Sequence, residues 1–504
     1  MPPLDANGMP LRRDDPAARL VCLGVDSIGY VIESTVDPYD SDGVPHGRLL
    51  MAQQPLLQGV RVLSLEQVHV LPWGTAFLAD FGAEVIRIES PGHMNDRRSG
   101  PFPDRVPGET WWNEGGTFAY WARNKESLCL DVTHPLGKDA FLKLVAKSDI
   151  VTDNFRPGTM QRLGLDHASL SAIKPDLITL SCTANGHTGP WRAYGARART
   201  VDAACGLSYL TGYAGEGALR ASSNYMDHTG GLNVAYALLL ALYQRRKTGR
   251  GMRLDLSMYE TGVSCIGPAL LEAQQGIERP RLGTTHLWQA PHNVYPCQGK
   301  DRWIAIAVST DAAWQGLCTA MGQPAWAMAP GFATVPARWQ HRQELDTHLS
   351  QWTAQQQPQA LMDLLQAHGV PAGAVNTAAD LVTDAHLRAR GYLEAFTNQN
   401  APSVGPRIYA GRPFRTLPEP PRRLQLVAAL GQHNMQVLRD VVGLSEADIQ
   451  GLLEAGALAT QPREATPPNA AAASYQASGR DGAADQHYKE AIRTLAQATA
   501  HAVH

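Results

Sequence analysis

Gly59-Val-Arg-Val-Leu-Ser-Leu65 and Glu84-Val-Ile-Arg-Ile-Glu89 bracket a segment, 72–81, whose apolar residues recur at helical spacing. The first run is nearly continuous in apolar residues, as a strand buried on both faces requires. Pro72 suits a first helical turn, where its missing N–H costs nothing, and Gly82 closes the helix. Strand, helix and strand within about thirty residues make a βαβ unit, and such a unit implies parallel pairing.

Outward from this unit the alternation continues. Strands are expected at 127–132, 149–154 and 177–181, with helices at 135–147 and 167–173 between them. The reading is α/β, with a doubly wound, Rossmann-like large domain. A long helix is expected from about 229 to 246, closed by Gly249, with Arg245, Arg246 and Lys247 complementing its dipole. Residues 285–395 change character: a strand at 303–308, helices between 343 and 368, and a turn and strand at 369–375 read as a smaller α+β domain. Residues 396–460 return to short strands and a helix opened by the capping box Ser445-Glu-Ala-Asp448. The expected organisation is an N-terminal extension (1–54) of unassigned role, with an apolar patch at 20–36 suited to a hairpin. The first part of the large domain (55–250), a linker helix (251–284), the small domain (285–395) and the C-terminal part of the large domain (396–460) follow. A disordered tail (461–504), with one marginal helix near 485–500, ends the chain.

Composition narrows the functional classes. Apolar residues make up 44% and charged residues 18%, ordinary for a soluble enzyme, and a net charge of −3 offers no long-range attraction to nucleic acid or an anionic membrane. The longest apolar stretch, 234–243, is about half of what a membrane span needs. The 7 cysteines are odd in number and none has CxxC spacing, which argues against a disulfide framework and a zinc ribbon and for a reducing cytoplasm. No metal-binding spacing is present.

Three stretches carry candidate chemistry. The first βα turn, Glu66-Gln-Val-His-Val-Leu-Pro-Trp-Gly74, lacks G-x-G-x-x-G, so a dinucleotide is not expected there, yet the following helix can offer free N–H groups to an anion. Asn154-Phe-Arg-Pro-Gly-Thr-Met-Gln-Arg-Leu-Gly164 places Arg156 and Arg162 at a strand end, where guanidinium forks suit phosphate or pair with a nearby acid. Ser222-Ser-Asn-Tyr-Met-Asp-His-Thr-Gly-Gly231 puts Asp227 at or next to the N-cap of the long helix. Capping alone accounts for an Asp there. The same geometry also presents an exposed carboxylate, and Gly230 and Gly231 leave room for a substrate.

Together these stretches resemble the class III CoA-transferase family. The likeness runs through GVRVLSL and LADFGAEVIRIESPG (59–92), NKESLCLDVTHPLG (124–137), DNFRPGTMQRLGL (153–165), HTGP (187–190), YMDHTGG (225–231) and ALYQRRKTGRGMRLDLSMYE (241–260). VYPCQGKDRWIAIAV (294–308) and GVPAGAV (369–375) continue it. The resemblance implies a large domain built from both chain ends and an interlocked homodimer. It implies CoA and acyl-CoA as substrates, with no permanently bound cofactor, and transfer of CoA to a carboxylic acid through an aspartyl anhydride and an aspartyl-CoA thioester on Asp227. It carries CoA contacts onto His69, Val70, Leu130, Asp131, Val132, Thr133, Asn154, Phe155, Arg156 and Arg162, and the acyl site onto Gly230 and Gly231. His69 and Ser90 depart from the formyl-CoA members, which have glutamine and arginine there. Arg197 stands where an acyl-CoA racemase of the same fold has its histidine base. That racemase and a non-catalytic acyl-CoA-binding paralogue are the alternative readings.

Overall fold

The computed structural model describes residues 54–221, 224–416, 427–464, 466–467 and 488–501. But for Gln54, the expected N-terminal extension and its hairpin lie outside the described residues.

The five expected strands form, and a sixth, Met252–Ser257, joins them at the sheet edge with alternate residues exposed, which corrects the assignment of 251–284 to a linker helix. β1 (Arg61–Leu65), β2 (Glu84–Glu89), β3 (Glu126–Cys129), β4 (Ile150–Asp153), β5 (Ile178–Thr183) and β6 (Met252–Ser257) form a sheet in the order β3-β2-β1-β4-β5-β6. Every neighbouring pair is parallel. The strand order reverses between β1 and β4, and the carboxyl edge at such a switch point is where doubly wound sheets bind ligands.

Side-chain alternation divides the strands between two cores. Leu63, Leu65, Ile86, Ile88 and Leu128 face one side with Phe141 and Leu144 of α3 (Pro135–Val145). Ile449 and Leu452, from the helix Glu446–Glu454 near the other end of the chain, join that cluster. The capping box that opens this helix forms as read, between Ser445 and Asp448. Val62, Val85, Ile150, Ile178 and Leu180 face the opposite side. There they meet α1 (Val70–Asp80), α6 (Ala198–Ala204) and the long helix α8 (Tyr225–Thr248) through Leu71, Leu78, Val201, Val234 and Leu238. Between these lie α2 (Gly116–Ala122), α4 (Thr159–Leu163), α5 (His167–Ile173) and α7 (Leu207–Leu210).

β7 (His292–Pro296), β8 (Trp303–Ala307) and β9 (Ala372–Ala374) form a separate antiparallel sheet. Its own apolar cluster includes Tyr295, Ile304, Trp314, Leu349 and Leu365. β10 (Leu393–Thr397) and β11 (Pro406–Ala410) make a hairpin. The one helix expected in the tail, near 485–500, is present at Tyr488–His501 and packs on that hairpin with Ala496 buried. Its Ala-rich composition reads as marginal in isolation, and the hairpin supplies the surface that stabilises it.

Under β2 and β3 lies a buried ion pair. Arg97 donates from Nε to Glu89 Oε1 (2.7 Å) and from Nη2 to Oε2 (2.8 Å), and its guanidinium lies 4.1 Å from the Phe118 ring centroid. Burial pushes the Glu89 carboxyl up, but the Arg97 and Arg87 guanidinium groups overcome it and hold the group at about 2, against an ordinary 4.5. A depressed folded-state value stabilises the protein above pH 4.5, and that stabilisation is lost as the pH falls toward 2. Replacing Arg97 by Met removes the bidentate partner of a buried carboxylate and should cost about 3–5 kcal/mol. The check is the midpoint of urea unfolding at neutral pH, which should fall in the variant. The wild-type midpoint should itself fall through the acid window just given.

Candidate active site

The turn from β1 into α1 is held at three successive residues. Glu66 is buried at the strand end, where Lys125 Nζ donates to its Oε1 (2.7 Å) and also to Pro72 O (2.8 Å) and Thr75 Oγ1 (2.8 Å). Burial pulls Lys125 down to about 8 despite its pairing with Glu66. Burial likewise pushes Glu66 up, but Lys125 and Arg87 win and keep it below its ordinary value. Gln67 is clamped next: its N–H donates to Asn154 Oδ1 (2.8 Å), and Asn154 Nδ2 donates to its carbonyl (2.6 Å). Val68 adopts a left-handed φ of 58°, costly for a β-branched residue, and its N–H is fixed by Asp96 Oδ1 (2.5 Å). His69 therefore lands as the N-cap of α1, with Val70 as its first helical residue.

α8 begins at Tyr225 with Asn224 as its N-cap. The expected start near 229 is corrected, and so is the placing of Asp227 at the cap: it is the third helical residue. The helix starts four residues earlier than expected, so Gly230 and Gly231 fall in its second turn. Here they lie inside the helix, are buried, and serve its contact with α1. A Cβ on Gly231 would come within 2.7 Å of Trp73 Cδ1 and 2.8 Å of Val70 O, and one on Gly230 within 2.9 Å of Val70 Cγ2. From the other side, a Cβ on Gly74 would sit 2.7 Å from Gly231 O. Both glycines thus make room for α1, which occupies the space expected for an acyl group. Asp227, Gly230 and Gly231 share a helical face, so this close approach carries the α1 N-terminus to Asp227.

His69 Nδ1 lies 3.8 Å from Asp227 Oδ2, with the two side chains 19% and 13% exposed. Both residues stand in the first turns of their helices, whose dipoles present partial positive charge there. Among the described residues no hydrogen bond occupies the Asp227 carboxylate. Trp121 packs against His69 and His228, at ring separations of 5.2 and 5.6 Å, and His228 Nδ1 is 2.7 Å from Asn224 O. A cavity of about 700 Å³ begins at Trp121, Asn224 and His228. Sequence reading missed Trp121. The aromatic density of 111–121, with Trp111, Trp112, Phe118, Tyr120 and Trp121, was the available signal. It also missed Asp202, a fully buried carboxyl of α6 whose oxygens lack side-chain hydrogen-bond partners. Burial pushes Asp202 up, and the nearby Asp227 charge adds to this against the pull of Arg220.

The other expected contacts spread along the same carboxyl edge. Phe155 is half-buried against the core, while Arg156 and Arg162 are exposed beside it, Arg162 Nη2 donating to Thr159 Oγ1 (2.9 Å). Asn154 is committed to Gln67, which makes it a latch between the β1 and β4 loops. Beyond the end of β3, Leu130 is buried and bridges to Leu458, and Val132 packs on the core. Asp131 accepts from Thr133 N (3.0 Å) and from Arg463 Nη2 (2.6 Å), so its charge is compensated internally. Against burial, these bonds hold its carboxyl below the ordinary range. Among the described residues no cluster of three or more His, Cys, Asp or Glu could hold a metal ion, and no helix is long and apolar enough to cross a membrane.

Sheet order and helical layers define a doubly wound α/β protein whose strand order reverses between β1 and β4. A family model described as CoA-transferase family III matches residues 57–434. The succinyl-CoA--D-citramalate CoA-transferase of Chloroflexus aurantiacus is 34% identical over 396 residues, covering 78% of this chain and 96% of that protein. The formyl-CoA:oxalate CoA-transferase of Rhodopseudomonas palustris is 30% identical over 431 residues, covering 81% and 99%. A crystal structure of a CAIB/BAIF family protein from Brucella suis superposes with a TM-score of 0.68 at 29% identity, covering 77% of this chain and all of that one. The chain belongs to CoA-transferase family III and is a CoA-transferase.

Because no flexible group can yield at Gly231, Gly231→Ala must push α1 and α8 apart. It should lower stability by about 1–3 kcal/mol. It should also depress activity beyond what the lost fold explains, measured as kcat/KM at a temperature where the variant is fully folded.

Proposed function

We propose that the protein moves CoA from an acyl-CoA thioester to a free carboxylic acid through covalent intermediates on Asp227. The observation that carries this reading is a carboxylate in the first turn of α8, unoccupied by hydrogen bonds among the described residues and 3.8 Å from His69. An Asp conscripted as a cap would have its oxygens turned to backbone N–H groups, and the cap here is Asn224.

In the first step an Asp227 oxygen attacks the thioester carbonyl carbon. The C–S bond breaks, leaving a mixed anhydride and CoA thiolate. The thiolate attacks the aspartyl carbonyl and expels the donor carboxylate, giving an aspartyl-CoA thioester. The acceptor carboxylate displaces the thiolate from that carbonyl to form a second anhydride. The thiolate then takes the acceptor acyl group, and the Asp227 carboxylate is restored. Electron pairs balance at each step without net proton transfer, so no residue is needed as general acid or base. One difficult exchange is divided into easier ones. The N-terminal dipoles of α1 and α8 favour the negative charge that develops between them. Trp121, packed over His69 and His228, limits access of water to the anhydride.

In this reading CoA lies along the carboxyl edge of the sheet, held by His69 and Val70 at the α1 N-terminus, by Leu130, Asp131, Val132 and Thr133, and by Asn154, Phe155, Arg156 and Arg162. Arg156 and Arg162 are the exposed cations suited to its phosphates. Arg197 is exposed at the start of α6, and a guanidinium does not serve as the base a racemase would need opposite Asp227. The active form is a homodimer, supported by the exposed Leu232, Tyr236, Leu239, Leu240 and Tyr243 along one face of α8. A cytoplasmic location accords with the described cysteines, all free thiols.

Asp227→Ala should lower transfer by about 10⁴-fold or more while leaving CoA binding by calorimetry near wild type. Hydroxylamine added with an acyl-CoA should convert Asp227 of the wild type to a hydroxamate, located by peptide mass spectrometry. Appreciable transfer by the Ala variant would sink the mechanism. Exchange of the α-proton in deuterated water without any acceptor acid would favour a racemase. Light scattering should give twice the chain mass, and a monomer at assay concentration would remove the dimer.

A further inference from the structure

Asn224, Asp227 and His228 lie at i, i+3 and i+4 of α8 and share one helical face. A cavity is lined by the first and last of these, the neighbours of Asp227 on that face, while Asp227 itself stands outside the lining. The cavity extends from Trp121 past Tyr120 and Phe102 to Val404, Ile408 and Tyr409 on and before β11. At about 700 Å³ it is far larger than a two- to four-carbon acid needs. About 150 Å³ already suffices for benzene in an apolar protein cavity.

The walls are aromatic and aliphatic. Tyr120 and Tyr409 lie roughly parallel at 6.4 Å, Tyr120 and Trp121 meet edge-on at 4.9 Å, and Phe396 backs Tyr409 at 4.1 Å. Burial pushes the Tyr409 phenol up to about 12, as an apolar setting does. Polar groups are few and mostly committed. Thr117 Oγ1 donates to Gly100 O, and Glu114 accepts from Gly108 N (2.9 Å) and Thr110 Oγ1 (3.1 Å). The charged residues of the lining are Arg407, Asp104 and Glu114. Two carboxylates against one guanidinium make a poor receptor for a second, distal carboxylate.

We infer that the acid handled at this site is a bulky monocarboxylic acid with an aromatic or cyclic hydrocarbon body, seated in this cavity with its carboxyl toward Asp227. The inference rests on the Asp227 reading above and separates the chain from relatives whose names specify D-citramalate and oxalate.

The test uses the full chain saturated with CoA and measures binding of 3-phenylpropionate, acetate and succinate by calorimetry. 3-Phenylpropionate should bind about tenfold or more tightly than the other two, the discrimination an apolar pocket gives per few carbon atoms. Ile408→Trp and, separately, Val404→Phe fill the cavity and should abolish that preference, with affinities for CoA and acetate within about twofold of wild type. Circular dichroism verifies folding of each variant, and either one alone suffices. Tighter binding of succinate, or equal loss for all three acids, would overturn the inference. So would a parallel loss of CoA affinity, because the cavity would then house the pantetheine arm. Hydroxylamine trapping with acetyl-, succinyl- and 3-phenylpropionyl-CoA separates the two readings. Hydroxamate from the small thioesters alone keeps Asp227 and overturns this pocket assignment. Phenylpropionate binding that the variants abolish, with no hydroxamate from any donor, supports the pocket and removes the mechanism.

Discussion

The separation of α1 from α8 is the constraint from which the site follows. Helices packed through ordinary side chains keep their axes about 8–10 Å apart. At the crossing of α1 and α8, Gly74, Gly230 and Gly231 replace side chains with bare backbone, and a methyl group added at any of them would collide with the facing helix. The two N-termini are thereby drawn together, and His69 and Asp227 fall within reach of each other. Two adjacent glycines in a helix cost about 1 kcal/mol each in intrinsic propensity. That cost is borne in the first turns of α8, where a later helix start would otherwise be natural. Burial of Leu71, Leu78, Val234 and Leu238 against the sheet offsets it.

The second constraint is electrostatic. Glu66, Arg87, Glu89, Asp96, Arg97 and Lys125 form a connected set of charges beneath the turn that carries His69, each wholly or almost wholly buried. Such a network is weak evidence for stability, since apolar residues of the same volume often serve as well. Its distribution of contacts fits a positioning role better. Lys125 reaches Glu66 and Pro72 O, and Asp96 fixes the strained Val68, so the turn is held from the strand side and the helix side at once. The clamp between Asn154 and Gln67 adds the neighbouring strand. A backbone held this firmly can present the His69 and Val70 N-terminus to a ligand without first being ordered by it.

Five strands of the parallel sheet were legible because they are short apolar runs set between glycine- and proline-marked turns, and periodicity is a local property; β6, with Arg253 and Asp255 between its apolar residues, was read as part of a linker helix. The carboxyl edge followed from topology, and with it the placing of His69, Asn154 and Asp227 near the switch point. What local pattern could not supply were effects of tertiary approach. Gly230 and Gly231 read as openings for a substrate because the sequence holds no sign that α1 fills the space. The latch of Asn154 on Gln67 is equally hidden, because its partner is eighty-seven residues away. Asp202 carries no spacing that would mark it, and Trp121 stood in an aromatic run of the kind that ordinarily builds core. The helix at Tyr488–His501 depends on the β10–β11 hairpin, a surface that does not exist until the fold is complete.

In the mechanism proposed for Asp227, the anhydride asks for conflicting surroundings: enough polarity to keep the carboxylate charged before attack, and enough dryness to protect the product afterwards. The arrangement here divides the two demands between different groups. Polarity comes from fixed groups, the N-termini of α1 and α8, which need no water to supply it. In the same proposal dryness comes from Trp121, Tyr120 and Tyr409, which wall a cavity that an apolar acyl body would empty of solvent as it entered. On this view the hydrocarbon part of the substrate helps to complete the dry side of the site. A small acid would leave that space wet and the anhydride exposed, so discrimination between acids and protection of the intermediate would have the same physical origin.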